Sequence, residues 1–131
     1  MAKILVIDDD PDIVKVLSMV LKEKGYTVES AETAEEAVIK LNSNPPDLIT
    51  LDIQMPGKGG LAVANELAQK KLNIPFILCT GSILNDPIEA YELFVVRHLY
   101  AGTLKKPMEL DDIPEMVKKG LELGRQLKNT T

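Results

Sequence analysis

The feature of the sequence that most constrains the fold is segment 47–56, a short apolar run with an acidic residue near its end. Its length, its β-branched residues and the prolines that bound it predict a strand buried on both faces. Asp52 stands near the carboxyl end of this strand, and an ionised carboxylate is almost never buried without a partner. The sequence therefore predicts a cation close to Asp52, supplied by another part of the chain.

Segments with strand character alternate with segments of helical apolar spacing along the chain. We predict strands at 3–8, at 26–30, around Asp52, at 74–80 and at 99–104, with a helix after each of them. This alternation is typical of the α/β class, in which a parallel sheet is covered by helices on both faces. The predicted architecture is a flavodoxin-like (βα)5 doubly wound fold with a five-stranded parallel sheet in the strand order 2-1-3-4-5.

Capping residues and glycines mark the ends of the predicted helices. The predicted N-terminal caps, each with the residue that completes its signal, are Asp10 with Pro11, Thr33 with Glu36, Asp86 with Glu89 and Asp112 with Glu115. Gly25 ends the first helix. Gly120 and Gly124 lie on the apolar face of the last helix, where each glycine costs about 1 kcal/mol against alanine. They predict a close approach of this helix to the sheet, with a dimer contact as the alternative.

Length and composition favour one domain over residues 1–131, with a short polar tail at 128–131. Lys and Arg number 15 against 20 Asp and Glu, and this net charge of −5 argues against nucleic acid as a direct partner. The single cysteine, Cys79, and the lack of a secretory segment predict a reducing, cytoplasmic location. No apolar stretch approaches the length of a membrane span, so we expect no membrane contact.

The predicted strand order brings three acidic residues to one edge of the sheet. Asp8 and Asp9 end the first strand and Asp52 ends the third, and these strands are neighbours about 4.8 Å apart. Two like charges about 4 Å apart repel by roughly 4 kcal/mol at an effective dielectric constant of about 20, so the group requires a compensating cation. Oxygen ligands with room for water favour Mg²⁺ over Ca²⁺, and the lack of histidine and cysteine ligands disfavours zinc.

Two further strand ends supply polar groups to the same edge. Thr80 ends the fourth strand, and Lys106 follows the fifth, where its flexible stem covers most of the roughly 10 Å to the third strand. A carboxylate nucleophile, a metal, a hydroxyl and an ammonium are groups that phosphoryl transfer uses. The residues therefore favour a reaction in which Asp52 attacks a phosphoryl group.

Four motifs, spread in order over nearly the whole chain, resemble those of the receiver domains of two-component response regulators. They are Ile-Leu-Val-Ile-Asp-Asp-Asp at 4–10, Asp-Ile-Gln-Met-Pro at 52–56 with Gly60, Thr80-Gly81, and Lys106-Pro107. Each motif stands at a predicted strand end, and the set is much more specific than any one of its members. The chain is similar to single-domain, chemotaxis-regulator-like receivers.

The resemblance implies a role for each matching residue. A sensor histidine kinase or a phosphotransfer protein would pass a phosphoryl group from a phosphohistidine to Asp52, in a reaction that needs Mg²⁺. The implied ligands of the metal are Asp8, Asp9, Asp52 and the backbone carbonyl of Gln54. The hydroxyl of Thr80 would bond a phosphoryl oxygen.

The resemblance also implies how the signal leaves the domain. Lys106 would pair with the acyl phosphate, and its bond to Pro107 is commonly cis in this family. Phosphorylation would reshape the surface made by the fourth helix, the fifth strand and the fifth helix, where a downstream protein docks. The chain would catalyse only its own phosphoryl transfer and dephosphorylation, and so would not be an enzyme in the usual sense.

Two departures from the family pattern affect the surface through which the signal would leave the domain. Receiver domains usually carry an aromatic residue three positions before the lysine, coupled to the threonine. Here that position is Thr103, so either the coupling is altered or Tyr100 substitutes. Segment 82–101 is longer than usual, and its predicted helix is apolar on several faces, around Tyr91 and Val95. It either packs more apolar surface or exposes a patch for a partner or a homodimer.

Several alternative interpretations accompany this one. A pseudo-receiver that is never phosphorylated and acts as a docking module is kept open by Thr103. A magnesium-dependent phosphohydrolase is less favoured, because such enzymes often carry a second acid where this chain has Gln54. We interpret Asp10 as a helix cap rather than a metal ligand, Cys79 as a small core residue, and the lone His98 as structural or exposed rather than a phosphate carrier.

Overall fold

The computed structural model describes residues 2–52, 59–81 and 96–129. Five strands form one parallel sheet: β1 (Lys3–Ile7), β2 (Thr27–Ala31), β3 (Leu48–Leu51), β4 (Phe76–Thr80) and β5 (Tyr100–Lys105). Their order is β2-β1-β3-β4-β5, so the predicted topology is confirmed. The strand bounds differ from the predicted ones by a residue or two at most ends, as is usual for short elements.

Helices follow the strands and cover both faces of the sheet. They are α1 (Pro11–Glu23), α2 (Ala34–Ser43), α3 (Gly59–Gln69) and α4 (Asp112–Asn129), the last of which is the fifth helix of the sequence prediction. A short 3-10 turn, Arg97–Leu99, precedes β5. The predicted fourth helix, with Tyr91 and Val95, lies outside the described residues. Among the described helices, none has the length and apolarity that a membrane crossing requires.

The helix ends largely follow the predicted signals. The side chain of Asp10 caps α1 by accepting from the N–H of Asp12, and Thr33 caps α2 by accepting from the N–H of Glu36. Gly25 follows α1 with a φ of +93°, a conformation that suits glycine. The last helix differs, because α4 begins at Asp112 itself and the predicted cap lies in its first turn.

Alternation along each strand divides the core into two layers. In β1, Leu5 and Ile7 face the layer that α2 and α3 cover, whereas Ile4 and Val6 face the layer that α1 and α4 cover. All four residues are at most 1% exposed, so β1 is buried on both faces. This double burial explains why the sequence of the strand is apolar without interruption.

Two glycines bring α4 close to the sheet, as the sequence predicted. A Cβ atom placed on Gly120 would lie 2.6 Å from Cδ1 of Leu48, a distance that real side chains do not tolerate. A Cβ atom on Gly124 would lie 3.3 Å from Cγ of Pro75, which is tight but less severe. Gly120 therefore allows α4 to lie directly on β3.

Candidate functional site

The acidic residues meet at the carboxyl ends of β1 and β3. Ile7 pairs with Leu51, and the N–H of Asp52 donates to the carbonyl of Ile7 at 3.0 Å. Backbone pairing thus places Asp8 and Asp52, the next residue of each strand, side by side. One carboxylate oxygen from each of Asp8, Asp9 and Asp52 lies within 4.8 Å of the others.

Lys106 provides the cation that the sequence predicted near Asp52. Its Nζ lies 2.9 Å from Oδ2 of Asp8 and 3.3 Å from Oδ2 of Asp52. The backbone holds this lysine in place, because its N–H donates to the carbonyl of Thr80 at 2.9 Å. The bond between Lys106 and Pro107 is cis.

The two oxygens of the Asp8 carboxylate have different surroundings. Oδ1 accepts a hydrogen bond from the N–H of Asp10 at 2.9 Å. Oδ2 is buried and receives no well-oriented hydrogen bond, although the ammonium of Lys106 lies within ion-pair distance. Burial raises the pKa of Asp8 above 3.8, and the nearby ammonium of Lys106 and the N–H of Asp10 oppose that rise.

The environment of Lys106 keeps its ammonium charged. Burial acts to lower the pKa of this lysine, but the adjacent carboxylate of Asp8, and then that of Asp52, outweigh that effect. The net result is a pKa above the usual 10.5. Lys106 is therefore a permanent positive charge at neutral pH, within 3.3 Å of both buried carboxylates.

The structure places one of the two remaining predicted site residues, and it also gives the positions of two residues that were predicted to be structural. Thr80 ends β4 at the same edge of the sheet and is 2% exposed. Gln54 lies outside the described residues, so its position stays a prediction. Asp10 caps α1, and Cys79 is buried in the core, both as predicted. Burial, with a smaller contribution from the charge of Asp8, raises the pKa of the Cys79 thiol to about 12.

The donor set fits a hard divalent cation. Three carboxylates contribute only oxygen atoms, and Asp9 is exposed, so a cation could keep water ligands on that side. The buried Oδ2 of Asp8, which lacks a well-oriented donor, has bonding capacity for a metal. These features match Mg²⁺ better than zinc, because nitrogen and sulfur ligands are absent from this described cluster.

The sequence left open whether Tyr100 substitutes for the aromatic residue that is usual at the position of Thr103, and the structure shows a contact between these two residues at a β-bulge. Phe76 pairs with Tyr100 but Ile77 pairs with Gly102, so β5 contains one extra residue at Ala101. The bulge breaks the alternation of side chains and brings Oη of Tyr100 within 2.5 Å of Oγ1 of Thr103. Only the glycine at 102, which often marks a bulge, hinted at this contact in the sequence.

Comparison with known proteins identifies the family. Residues 4–118 match the family model described as the response regulator receiver domain. The chain belongs to this family. Receiver domains generally bind Mg²⁺ at an acidic pocket, and response regulators work with histidine kinases in two-component systems. The family is not one of conventional enzymes.

Curated relatives of this receiver chain are regulatory proteins. It is 34% identical over 125 residues to the positive alginate biosynthesis regulatory protein of Pseudomonas aeruginosa, covering 93% of this chain and 48% of that protein. It is 42% identical over 79 residues to the alkaline phosphatase synthesis transcriptional regulatory protein PhoP of Bacillus subtilis, covering 60% of this chain and 33% of that protein. The chain thus spans half or less of the length of these relatives.

Solved receiver structures confirm the fold. A CheY-like receiver domain protein from Methanospirillum hungatei has a TM-score of 0.81 at 25% identity, covering 96% of this chain and 98% of that one. The chemotaxis protein CheY4 of Vibrio cholerae has a TM-score of 0.79 at 28% identity, covering 92% of this chain and 99% of that one. The α/β, flavodoxin-like interpretation is therefore correct.

Proposed function

We propose that Asp52 is the phosphoacceptor of this receiver domain. It would take a phosphoryl group from the phosphohistidine of a sensor histidine kinase or phosphotransfer protein, in a reaction that requires Mg²⁺. The observation that carries this proposal is the position of Lys106, whose Nζ lies 2.9 Å from Asp8 and 3.3 Å from Asp52. That arrangement keeps a positive charge where a transferred phosphoryl group would bring negative charge.

The transfer would be a single displacement at phosphorus. An oxygen of the Asp52 carboxylate forms the new P–O bond while the P–N bond to histidine breaks, and the electron pair stays on the imidazole nitrogen. Lys106 neutralises charge on the transferred group, and the hydroxyl of Thr80 would bond one phosphoryl oxygen. Bound Mg²⁺ would supply further charge neutralisation.

Four residues would hold the metal. They are Asp8, Asp9, Asp52 and, through its backbone carbonyl, Gln54. The oxygens of the three aspartates within 4.8 Å of one another support this assignment, as does the buried Oδ2 of Asp8. Three carboxylates and one ammonium leave a net charge of about −2, which a divalent cation balances. The cation and Lys106 can therefore share the pocket.

The rest of the proposal concerns organisation and output. Residues 1–131 would form a single receiver domain with a polar tail at 128–131, located in the cytoplasm as the unpaired cysteine suggests. Phosphorylation would act on the surface made by the predicted fourth helix, β5 and α4. A downstream protein, or a second copy of the chain, would bind there.

Phosphorylation of purified protein tests this proposal. With Mg²⁺ and either acetyl phosphate or the cognate kinase, intact-mass spectrometry should detect one acid-stable, base-labile phosphoryl group. Asp52→Asn should abolish it. Asp47→Asn is the matched control, because Asp47 lies at the opposite end of the same strand and accepts from the N–H of Lys3. Undiminished labelling of Asp52→Asn would contradict the proposal.

The same material separates a receiver from a pseudo-receiver. Beryllofluoride with Mg²⁺ mimics the phosphoryl group, and NMR should then show shifts in β5 and α4. A wild-type protein that takes up no phosphoryl group and shows no such shifts would instead be a static docking module.

A further inference from the structure

Two carboxylates act in series in the loop between β1 and α1. Asp8 Oδ1 accepts from the N–H of Asp10 at 2.9 Å, and Asp10 Oδ1 accepts from the N–H of Asp12 at 2.9 Å. We propose that Asp10 is a positioning residue for Asp8. Its cap on α1 fixes the backbone N–H that holds Oδ1 of Asp8, so that Oδ2 stays directed into the pocket. As far as it concerns a metal, this inference rests on the proposed function.

The backbone of Asp10 is held on three sides. Its φ of −92° and ψ of 110° are extended, and the following Pro11 favours that conformation. Its carbonyl accepts from the N–H of Val14 at 3.1 Å, the first hydrogen bond of the helix. Its side chain closes the third connection, to Asp12. The direction of the Asp10 N–H is therefore set by the start of α1.

The N–H of Asp10 distinguishes the two oxygens of the Asp8 carboxylate, which are otherwise chemically equal. A carboxylate can rotate about its terminal bond, and that torsion has broad, weak preferences. In Asp8 the Asp10 N–H engages Oδ1, which leaves Oδ2 beside Lys106 and without a well-oriented hydrogen bond. A ligand oxygen that does not rotate loses less freedom when it binds a metal, and groups that orient ligands raise affinity in this way.

The negative charge of Asp10 offers a competing explanation. Asp10 is exposed, and its carboxylate would attract a cation whether or not it caps the helix. Asparagine separates the two effects, because it caps a helix about as well as aspartate but carries no charge. Alanine removes both the cap and the charge.

Magnesium binding to the metal-free full chain provides the first measurement. Isothermal titration with Mg²⁺ should show affinity about 10-fold weaker in Asp10→Ala, as for other residues that orient metal ligands, and within about 3-fold of wild type in Asp10→Asn. Thr33→Ala is the matched control. Thr33 caps α2 through the N–H of Glu36 at 3.1 Å, without bonding a pocket residue, so its loss should leave affinity within about 2-fold.

Amide hydrogen exchange at position 10 provides a second measurement that needs no metal. Every variant keeps this N–H, and its protection factor reports the bond to Asp8. Protection should fall about 10-fold in Asp10→Ala and stay near the wild-type value in Asp10→Asn and Thr33→Ala.

The outcomes separate the positioning role from the proposed function. Equal loss of Mg²⁺ affinity in Asp10→Asn and Asp10→Ala would overturn positioning in favour of charge. Unchanged protection in Asp10→Ala would overturn it whether or not the wild type binds Mg²⁺. A wild type without Mg²⁺ affinity, but with the expected exchange pattern, would support the positioning of Asp8 and overturn the proposed metal site.

Discussion

Two aspartates at opposite ends of neighbouring strands use their carboxylates differently. Asp47, just before β3, accepts on its Oδ2 a hydrogen bond of 2.8 Å from the backbone N–H of Lys3. Asp8, just after β1, is 1% exposed and has an Oδ2 that no donor approaches in good orientation. The carboxylate at the amino end joins two strands. The one at the carboxyl end is held with bonding capacity left over, which is what a binding site requires.

The difference extends to what surrounds each carboxylate. At the amino end α4 lies close to the sheet, where a Cβ atom on Gly124 would lie 3.3 Å from Cγ of Pro75 and 3.8 Å from the backbone oxygen of Asp47. At the carboxyl end the neighbours of Asp8 are Lys106 and Asp52. We therefore expect the amino end to be sensitive to added volume and the carboxyl end to be sensitive to changes of charge.

The largest expected effect follows removal of the lysine. Lys106→Met leaves two buried carboxylates without their cation, and we expect a loss of about 2 kcal/mol in the free energy of unfolding. The value lies below that of a fully buried pair because the lysine side chain is 21% exposed. Urea denaturation of metal-free protein measures it. Lys105→Met at the exposed neighbouring position should change stability by less than about 0.5 kcal/mol, and equal losses would contradict the charge argument.

Added volume should be harmful near the amino end. In Gly120→Ala the new methyl lies 2.6 Å from Leu48, and overpacking exceeds the gain in helix propensity, for a net loss of about 1.5 kcal/mol. Gly124→Ala, with a closest approach of 3.3 Å to Pro75, should stay within about 0.5 kcal/mol of wild type. Thermal and urea denaturation compare them, and equal effects would show that the approach to Leu48 does not limit packing.

Neutralising Asp8 should stabilise the metal-free protein. Asp8→Asn removes a buried charge that the fold holds at some cost, and we expect a gain of about 1 kcal/mol at about pH 7. Asp47→Asn should instead lose up to about 1 kcal/mol, because it weakens a charge-assisted hydrogen bond. Urea denaturation of both variants compares the two ends directly.

The gain from Asp8→Asn should depend on pH in a defined direction. The pKa of Asp8 is raised by burial, so the unfolded chain ionises first as pH rises above 3.8. The folded wild type then loses stability until the pH passes its own, higher pKa, and the asparagine variant does not. The stability gap should therefore open as pH rises from about 3.5 to about 7. A stability difference between the two proteins that stays constant over this pH range would contradict a raised pKa for Asp8.

The smallest expected effect is at a turn near the amino end of β4. Lys71 follows α3 with a φ of +52°, and the next N–H, of Leu72, donates to the carbonyl of Leu67. Glycine adopts this conformation without strain, so Lys71→Gly should gain about 0.5 kcal/mol. Lys70→Gly, one residue earlier, lacks the positive φ and should not stabilise. A loss in Lys71→Gly would mean that the lysine side chain has a role in this turn.

The sheet and the acidic group were predictable because both depend on main-chain regularity. Apolar runs without interruption indicated strands buried on both faces, and parallel pairing places their ends at one edge. Asp8 and Asp52 meet because Ile7 pairs with Leu51, so the juxtaposition needs no knowledge of side-chain packing. Gly120 was informative for a similar reason, since a glycine on a buried helical face indicates a neighbour that leaves no room for a side chain.

The details that were not predictable depend on single departures from regularity. Thr103 meets Tyr100 only because β5 contains one extra residue, which reverses the side-chain alternation of the strand. The start of α4 was misjudged because Asp112, which resembles a cap, lies within the first turn. The unequal surroundings of the two Asp8 oxygens depend on the direction of the Asp10 N–H. The spacing of residues in the sequence does not reveal that direction.

The irregularity in β5 also affects what can attach to that side of the molecule. β5 is an edge of the sheet, and the extra residue at Ala101 interrupts the regular row of outward N–H and C=O groups. Adding another extended chain requires an even row of such groups over several residues. The bulge therefore shortens the even part of this edge to residues 102–105, which makes it a shorter template for the addition of another extended chain.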